Sequence, residues 1–233
     1  MRVVEFVTKG KQMEIIKGIH KVDGVRGANC YLIVSGSEML LIDTGMPGNG
    51  KRIIKYVTGI GQKPSDIKYA ILTHSDIDHI GSASEIKKMT GAKLVIHAAD
   101  APVLSGKGSS KKMKGPMGMI FKLMMPLMGF HPVESDIVLK DSTDFISFKI
   151  ILTPGHTEGS MSLYQTGKVL FAGDALRSDS RGNPNLPSKS LSANIVQAIA
   201  SVAAISRLDF DILLTGHGAP VIGKASDRVK ELL

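Results

Sequence analysis

The stretch Thr73-His74-Ser75-Asp76-Ile77-Asp78-His79 places two histidines and two carboxylates on neighbouring residues. It follows Ile67-Lys68-Tyr69-Ala70-Ile71-Leu72, an apolar run that reads as a buried strand, and precedes a Gly81-containing segment that opens a helical pattern. Imidazoles and carboxylates gathered in a strand-to-helix loop can hold a divalent cation, which offsets the cost of burying unpaired charge. Taken alone, the cluster also fits a polar turn with a capping aspartate. The metal reading therefore needs further ligands from elsewhere in the chain.

Three such groups follow. Ile150-Ile151-Leu152 leads to Thr153-Pro154-Gly155-His156, Val169-Leu170-Phe171 to Ala172-Gly173-Asp174, and Ile212-Leu213-Leu214 to Thr215-Gly216-His217-Gly218. Each time a buried-type strand ends and a Gly-bearing turn delivers one His or Asp. A rigid sheet aims side chains from its strand ends at a single point, so these loops are where α/β folds place chemistry. His156 or His217 alone reads equally as a turn or core histidine; the repetition of the pattern favours a shared site. His97 follows a strand without a neighbouring ligand and reads as structural, as does His20. His131 falls in an insert.

The elements that must position these groups are short strands at Val3–Val7, Glu14–Ile19, Cys30–Val34 and Met39–Ile42, the last ending in Asp43-Thr44-Gly45. Helices are expected at about Lys51–Val57, Ser82–Met89, from Ala98, at Leu191–Ile205 and from Lys224, with further strands at Lys93–Ile96, Ile137–Leu139, Ile146–Leu152, Met161–Tyr164, Val169–Phe171 and Asp211–Leu214. Strands flanked by helices in both halves predict two sheets with helices on their outer faces. Residues 105–135 interrupt this rhythm with Lys, Gly and Ser and then a Met/Leu/Phe-rich run, which fits either a core-packing helix or an apolar lid over the site.

Composition bounds the alternatives. A chain of 233 residues with 43% hydrophobic content can bury the core of one domain spanning 1–233. One cysteine, Cys30, excludes an internal disulfide framework and a multi-cysteine zinc site, and reads as a small core residue. The segment Met1–Phe6 lacks a signal-peptide pattern, and Met113–Phe130 is broken by Lys114, Pro116, Lys122 and Pro126, so the expectation is a cytoplasmic protein without a transmembrane segment. A net charge of +8 permits association with anions, with Lys107, Lys111, Lys112 and Lys114 as its local concentration.

The ordered set of Asp43 after a strand, H-S-D-I-D-H, T-P-G-H-T-E-G-S, A-G-D and G-H-G-A-P resembles the metallo-β-lactamase superfamily of metallohydrolases, over about Cys30 to Pro220. That resemblance implies a four-layer αββα sandwich (α/β class) with two divalent metal ions at one edge. His74, Asp76 and His156 would hold the first ion and Asp78, His79 and His217 the second. Asp174 would bridge them, and Asp43 would orient the loop from behind. The family's commonest motif is H-x-H-x-D-H, and this chain has Asp76 at the second histidine position. The extra carboxylate lowers the formal charge of the site by one unit. It acidifies bound water less and favours harder ions such as Mn²⁺ or Fe²⁺ over Zn²⁺.

The resulting expectation is a hydrolase that uses a metal-bound hydroxide on an ester, thioester or lactone carbonyl of a small, apolar or acyl substrate. Asp78 would both bind metal and act catalytically, orienting the hydroxide or moving its proton. Two alternatives stay open. The basic balance fits a phosphodiesterase or nuclease, with nucleic acid as the less favoured partner, and Asp76 leaves room for a non-catalytic metal-binding scaffold.

Overall fold

The computed structural model describes residues 13–108 and 127–233. A seven-stranded sheet runs in spatial order through β1 (Met13–Ile16), β2 (Ile19–Lys21), β3 (Tyr31–Ser35), β4 (Glu38–Ile42), β5 (Ile67–Ile71), β6 (Lys93–His97) and β7 (Ile137–Leu139). Its strands are antiparallel as far as β4 and parallel from β4 to β7. The second sheet has β8 (Thr143–Phe145), β9 (Phe148–Leu152), β10 (Met161–Gln165), β11 (Val169–Gly173), β14 (Ile212–Thr215) and β15 (Val221–Ile222), in the order β15-β14-β11-β10-β9-β8. A small ribbon, β12 (Arg177–Ser178) with β13 (Pro184–Asn185), lies between β11 and β14 in sequence.

Period-two alternation builds the layers. In β4, Met39 and Leu41 enter one buried cluster while Leu40 and Ile42 enter another. In β11, Val169 and Phe171 face inward to that second cluster, and Leu170 and Ala172 face a third. The second cluster lies between the sheets. The first is closed by helices α1 (Gly50–Gly59) and α3 (Ala83–Thr90), and the third by α5 (Ile195–Ile205) and α6 (Ala225–Lys230). Short helices α2 (Ile77–Ile80) and α4 (Ala101–Leu104) complete the first outer layer. The result is an αββα sandwich with three apolar seams.

Local sequence explains the helices. In α1, Ile53, Tyr56 and Val57 are buried at the spacing of one helical face. The α5 helix starts at Asn194, whose side chain accepts from the Gln197 amide at 3.1 Å. That cap starts the helix at Ile195 rather than at the expected Leu191. Parallel crossovers through α1, α3 and α5 leave the β4, β5, β6, β11 and β14 carboxyl ends on one edge.

One expected single strand is a hairpin, and another starts two residues late as the second arm of one. The 14–19 run breaks at Gly18, whose φ of 79° turns the chain between β1 and β2. The 146–152 run begins inside a turn, with Ile146 at φ 57° between β8 and β9. The expected strand at Val3–Val7 lies outside the described residues, as do residues 109–126 of the insert, Lys111, Lys112 and Lys114 included. Lys107 pairs with Glu134 at 2.7 Å in an exposed position. Among the described residues, no helix is long and apolar enough to cross a membrane.

Candidate metal centre

Four strand ends and one helix supply the site. His74 follows β5, Asp76 precedes the first turn of α2, and Asp78 and His79 lie within that turn. His156, Asp174 and His217 come from the loops after β9, β11 and β14. Backbone bonds fix these loops to one another. Thr44 N donates to His79 O at 2.7 Å, Met161 N to Thr73 O at 2.9 Å, Gly216 N to Gly173 O at 2.7 Å and Ala193 N to His156 O at 3.1 Å.

The structure brings all seven sequence-predicted residues together. His74, Asp76 and His156 form one group of mutually close donor atoms; His74, His79 and Asp174 form a second; Asp78, His79 and His217 form a third; within each, the atoms lie within 4.8 Å of one another. His156 Nε2 is 3.1 Å from Asp76 Oδ2, and His217 Nε2 is 3.2 Å from Asp78 Oδ2. Asp174 stands between them. Its Oδ2 lies 3.5 Å from His156 Nε2 and 3.6 Å from His217 Nε2, and its Oδ1 lies 3.4 Å from His79 Nε2. Gly216 permits this approach, since a Cβ there would lie 2.6 Å from the His79 ring and nearer still to Asp174.

Hydrogen-bond accounting tests whether a cation suits the cluster. Among the described residues, four buried side-chain atoms have no hydrogen-bond partner, and three of them are His74 Nε2, His79 Nε2 and Asp174 Oδ1. These three belong to one of the mutually close groups, so the unsatisfied atoms converge. A buried polar atom without a partner costs on the order of 1–3 kcal/mol, and three converging on one another are what a bound cation satisfies. The nitrogen and carboxylate donor set suits a divalent ion.

Electrostatics agree. Burial opposes the Asp174 charge, but the adjacent His79 imidazole, with the charges of His74 and His217 near, holds its carboxyl well below the usual range. For Asp78 burial again raises the pKa, and the His217 contact with the surrounding histidines brings it below the ordinary carboxylate value. For His79 burial disfavours the imidazolium, and the adjacent Asp43 and Asp174 more than reverse this, raising its pKa well above the ordinary histidine value.

Asp43, at φ 57°, is wholly committed to the site. Its Oδ1 accepts Thr73 N at 2.8 Å, and its Oδ2 accepts Thr73 Oγ1 at 2.8 Å and faces His79 Nδ1 at 2.8 Å. A carboxylate can only accept, so Nδ1 carries the proton and Nε2 is turned toward the cluster. His20 and His97 lie in structural contacts, to Tyr56 Oη at 3.3 Å and to Lys140 O at 3.2 Å.

Sequence reasoning passes over three contributors. Asp100, buried after β6, accepts Ser75 N at 2.8 Å, Thr157 Oγ1 at 2.8 Å and Gly159 N at 3.2 Å. Asn29 donates to Thr215 O at 2.9 Å and Gly218 O at 3.0 Å, pinning the His217 loop. Arg177 Nη1 donates to Asp174 Oδ2 at 3.3 Å. A strand end bearing Asp was the available signal for Asp100. Asn29 and Arg177 carry none.

Comparison with known proteins follows the same lines. The family model of the metallo-beta-lactamase superfamily matches residues 23–217. The probable metallo-hydrolase YflN of Bacillus subtilis is 30% identical over 244 residues, covering 94% of this chain and 90% of that protein. The N-acyl homoserine lactonase of Bacillus thuringiensis is 21% identical over 216 residues, covering 81% of this chain and 80% of that protein. A subclass B3 metallo-beta-lactamase of Bradyrhizobium japonicum superposes with a TM-score of 0.70 at 26% identity, covering 96% of this chain and 90% of that one. By family model, relatives and fold, the chain belongs to the metallo-beta-lactamase superfamily of metallo-hydrolases.

Proposed function

We propose that the protein is a two-metal hydrolase acting on an ester, thioester or lactone carbonyl. The observation that carries the reading is the convergence of partnerless, buried His74 Nε2, His79 Nε2 and Asp174 Oδ1, flanked on each side by a further ligand group. His74, Asp76 and His156 would hold one divalent cation, and Asp78, His79 and His217 a second, with Asp174 shared. Ions bound there supply Lewis acidity toward a substrate oxygen and lower the pKa of water toward neutrality.

The remaining work falls to the chain's own residues. Asp78 is ionised at neutral pH and 29% exposed, so its carboxylate can orient a water and accept its proton. Asp43 holds the His79 ring in one tautomer. Asp76 adds negative charge, which favours Mn²⁺ or Fe²⁺ alongside Zn²⁺ at the first position.

Exposed apolar side chains at the end of the insert favour an acyl-type substrate: Leu127 is 86% exposed and Met128 42%, and Gly129 and Gly81 both lie against Pro47. The relative named as a lactonase supports a lactone-type carbonyl in particular. The same reading treats 1–233 as one domain with an insert at 105–135.

Initial rates on a lactone, thioester and phosphodiester panel test it, using chain reconstituted with Zn²⁺, Mn²⁺ or Fe²⁺. Carbonyl turnover that disappears in His79→Ala is the expected result. Turnover of the phosphodiester alone would overturn the carbonyl assignment in favour of a nuclease.

A further inference from the structure

We infer that Asp100 is the positioning residue of the first metal position, setting the spacing between the two loops that build it. The inference rests on the metal-centre reading above and extends it to a residue outside the ligand set.

The geometry is specific. Asp100 is 3% exposed and spends both carboxylate oxygens on two loops that are distant in sequence. One oxygen accepts Ser75 N at 2.8 Å and Thr157 Oγ1 at 2.8 Å; the other accepts Gly159 N at 3.2 Å. Ser75 lies between His74 and Asp76, and Thr157 follows His156. All three candidate ligands of the first position are therefore chain neighbours of a residue held by Asp100. Thr157 is locked in turn, since Ser160 Oγ lies 2.8 Å from its hydroxyl and accepts its amide at 2.9 Å.

Gly159 is a second, independent observation. A Cβ there would lie 2.7 Å from Asp100 Cγ and 2.8 Å from Oδ1, so the absence of a side chain is what lets the carboxylate reach the amide. Asp43 works differently. It touches the His79 ring directly and reaches His74 only through Thr73, whose Oγ1 lies 3.1 Å from His74 Nδ1. The two buried carboxylates thus divide the centre between them, Asp43 behind both halves and Asp100 behind the first alone.

The division matters because of Asp76. An aspartate is shorter than a histidine, so it reaches a cation shared with His156 only if the loops stand at a fixed separation. In the structure that separation places Asp76 Oδ2 3.1 Å from His156 Nε2. Releasing the bracket lets the His156 loop relax away, and a short ligand cannot follow. Partners behind the ligands commonly contribute about 10–100-fold in metal affinity.

The test is stepwise titration of the full, chelator-stripped chain with Co²⁺ and, separately, Mn²⁺, read by calorimetry and by the visible absorption of bound Co²⁺. Wild type is compared with Asp100→Asn, Thr157→Val, Thr157→Ser and Gly159→Ala, with thermal unfolding of each metal-free chain as the control for folding. The expected result is one binding step weakened about 10–100-fold in Asp100→Asn, with a changed Co²⁺ spectrum for that step and the other step within about 3-fold of wild type. Thr157→Val and Gly159→Ala should weaken the same step, and Thr157→Ser, which keeps the hydroxyl, should restore it. Equal weakening of both steps, or no change in either, would overturn the inference. A wild-type chain with one binding step contradicts the two-metal reading instead; the Asp100 assignment then stands if that step weakens in Asp100→Asn and falls if it does not.

Discussion

At the scale of single residues, His79 links protonation to metal uptake. Burial pulls its pKa down, and Asp43 and Asp174 push it up further, so the metal-free ring holds its second proton to higher pH than an ordinary histidine does. The folded pKa lies above the unfolded one. The ion-pair contribution is therefore complete below about pH 6.5, the ordinary histidine value, and is lost as pH rises through the raised folded value. A cation needs that Nε2 free of its proton. Zinc binding near pH 7 should thus release protons, and affinity should rise with pH, as calorimetry in buffers of different ionisation enthalpy would reveal. Binding without proton release would contradict the account. Asp76 allows a second prediction. Asp76→His restores the commoner donor set and should tighten zinc at the first position by roughly 10-fold or more, measured as metal retained after dialysis against a weak chelator.

At the scale of elements, the ligand loops depend on close backbone contacts that a side chain cannot enter. Gly155 has φ 129°, and a Cβ there would collide with the backbone of Ala198 in α5. Its amide donates to Thr157 O at 2.8 Å, and its carbonyl accepts from Asn194 N at 2.9 Å. Gly155→Ala should cost about 2–3 kcal/mol through strain and overpacking, seen as a melting point lowered by roughly 5–10 °C. An unchanged melting point would remove the proposed coupling between α5 and the His156 loop. These elements also show what a sequence reveals. Strand ends such as Leu72 before His74 and Leu214 before His217 were legible, because an apolar run ending in a Gly-bearing turn is a local signal. The β1–β2 and β8–β9 hairpins were not, since apolar patterning continues across Gly18 and Ile146 while the backbone reverses. Asp100 escaped notice because its importance comes from partners brought close only by folding: Ser75, Thr157 and Gly159.

At the scale of the molecule, three apolar seams hold four layers, and the metal edge lies where the carboxyl ends of strands from both sheets meet. His74 and His79 come from the first sheet and His156, Asp174 and His217 from the second, so a cation held by both sets would tie the sheets together. Stripping the metal should then destabilise the whole fold rather than one loop. At free ion 100 times above Kd, binding adds about 2.7 kcal/mol, and chelation should lower the melting point by roughly 5–10 °C. A truncation at Phe171→Ala, in the seam between the sheets, should cost about 3–5 kcal/mol, read as a lowered melting point of the metal-free chain. The central claim is that seven side chains from these two sheets hold two cations. Its most direct test is a crystal structure of the chain soaked in Mn²⁺, with anomalous difference density as the readout. The account predicts two peaks, one bounded by His74, Asp76 and His156 and one by Asp78, His79 and His217, with Asp174 in contact with both. A single peak, or density away from these residues, would contradict it.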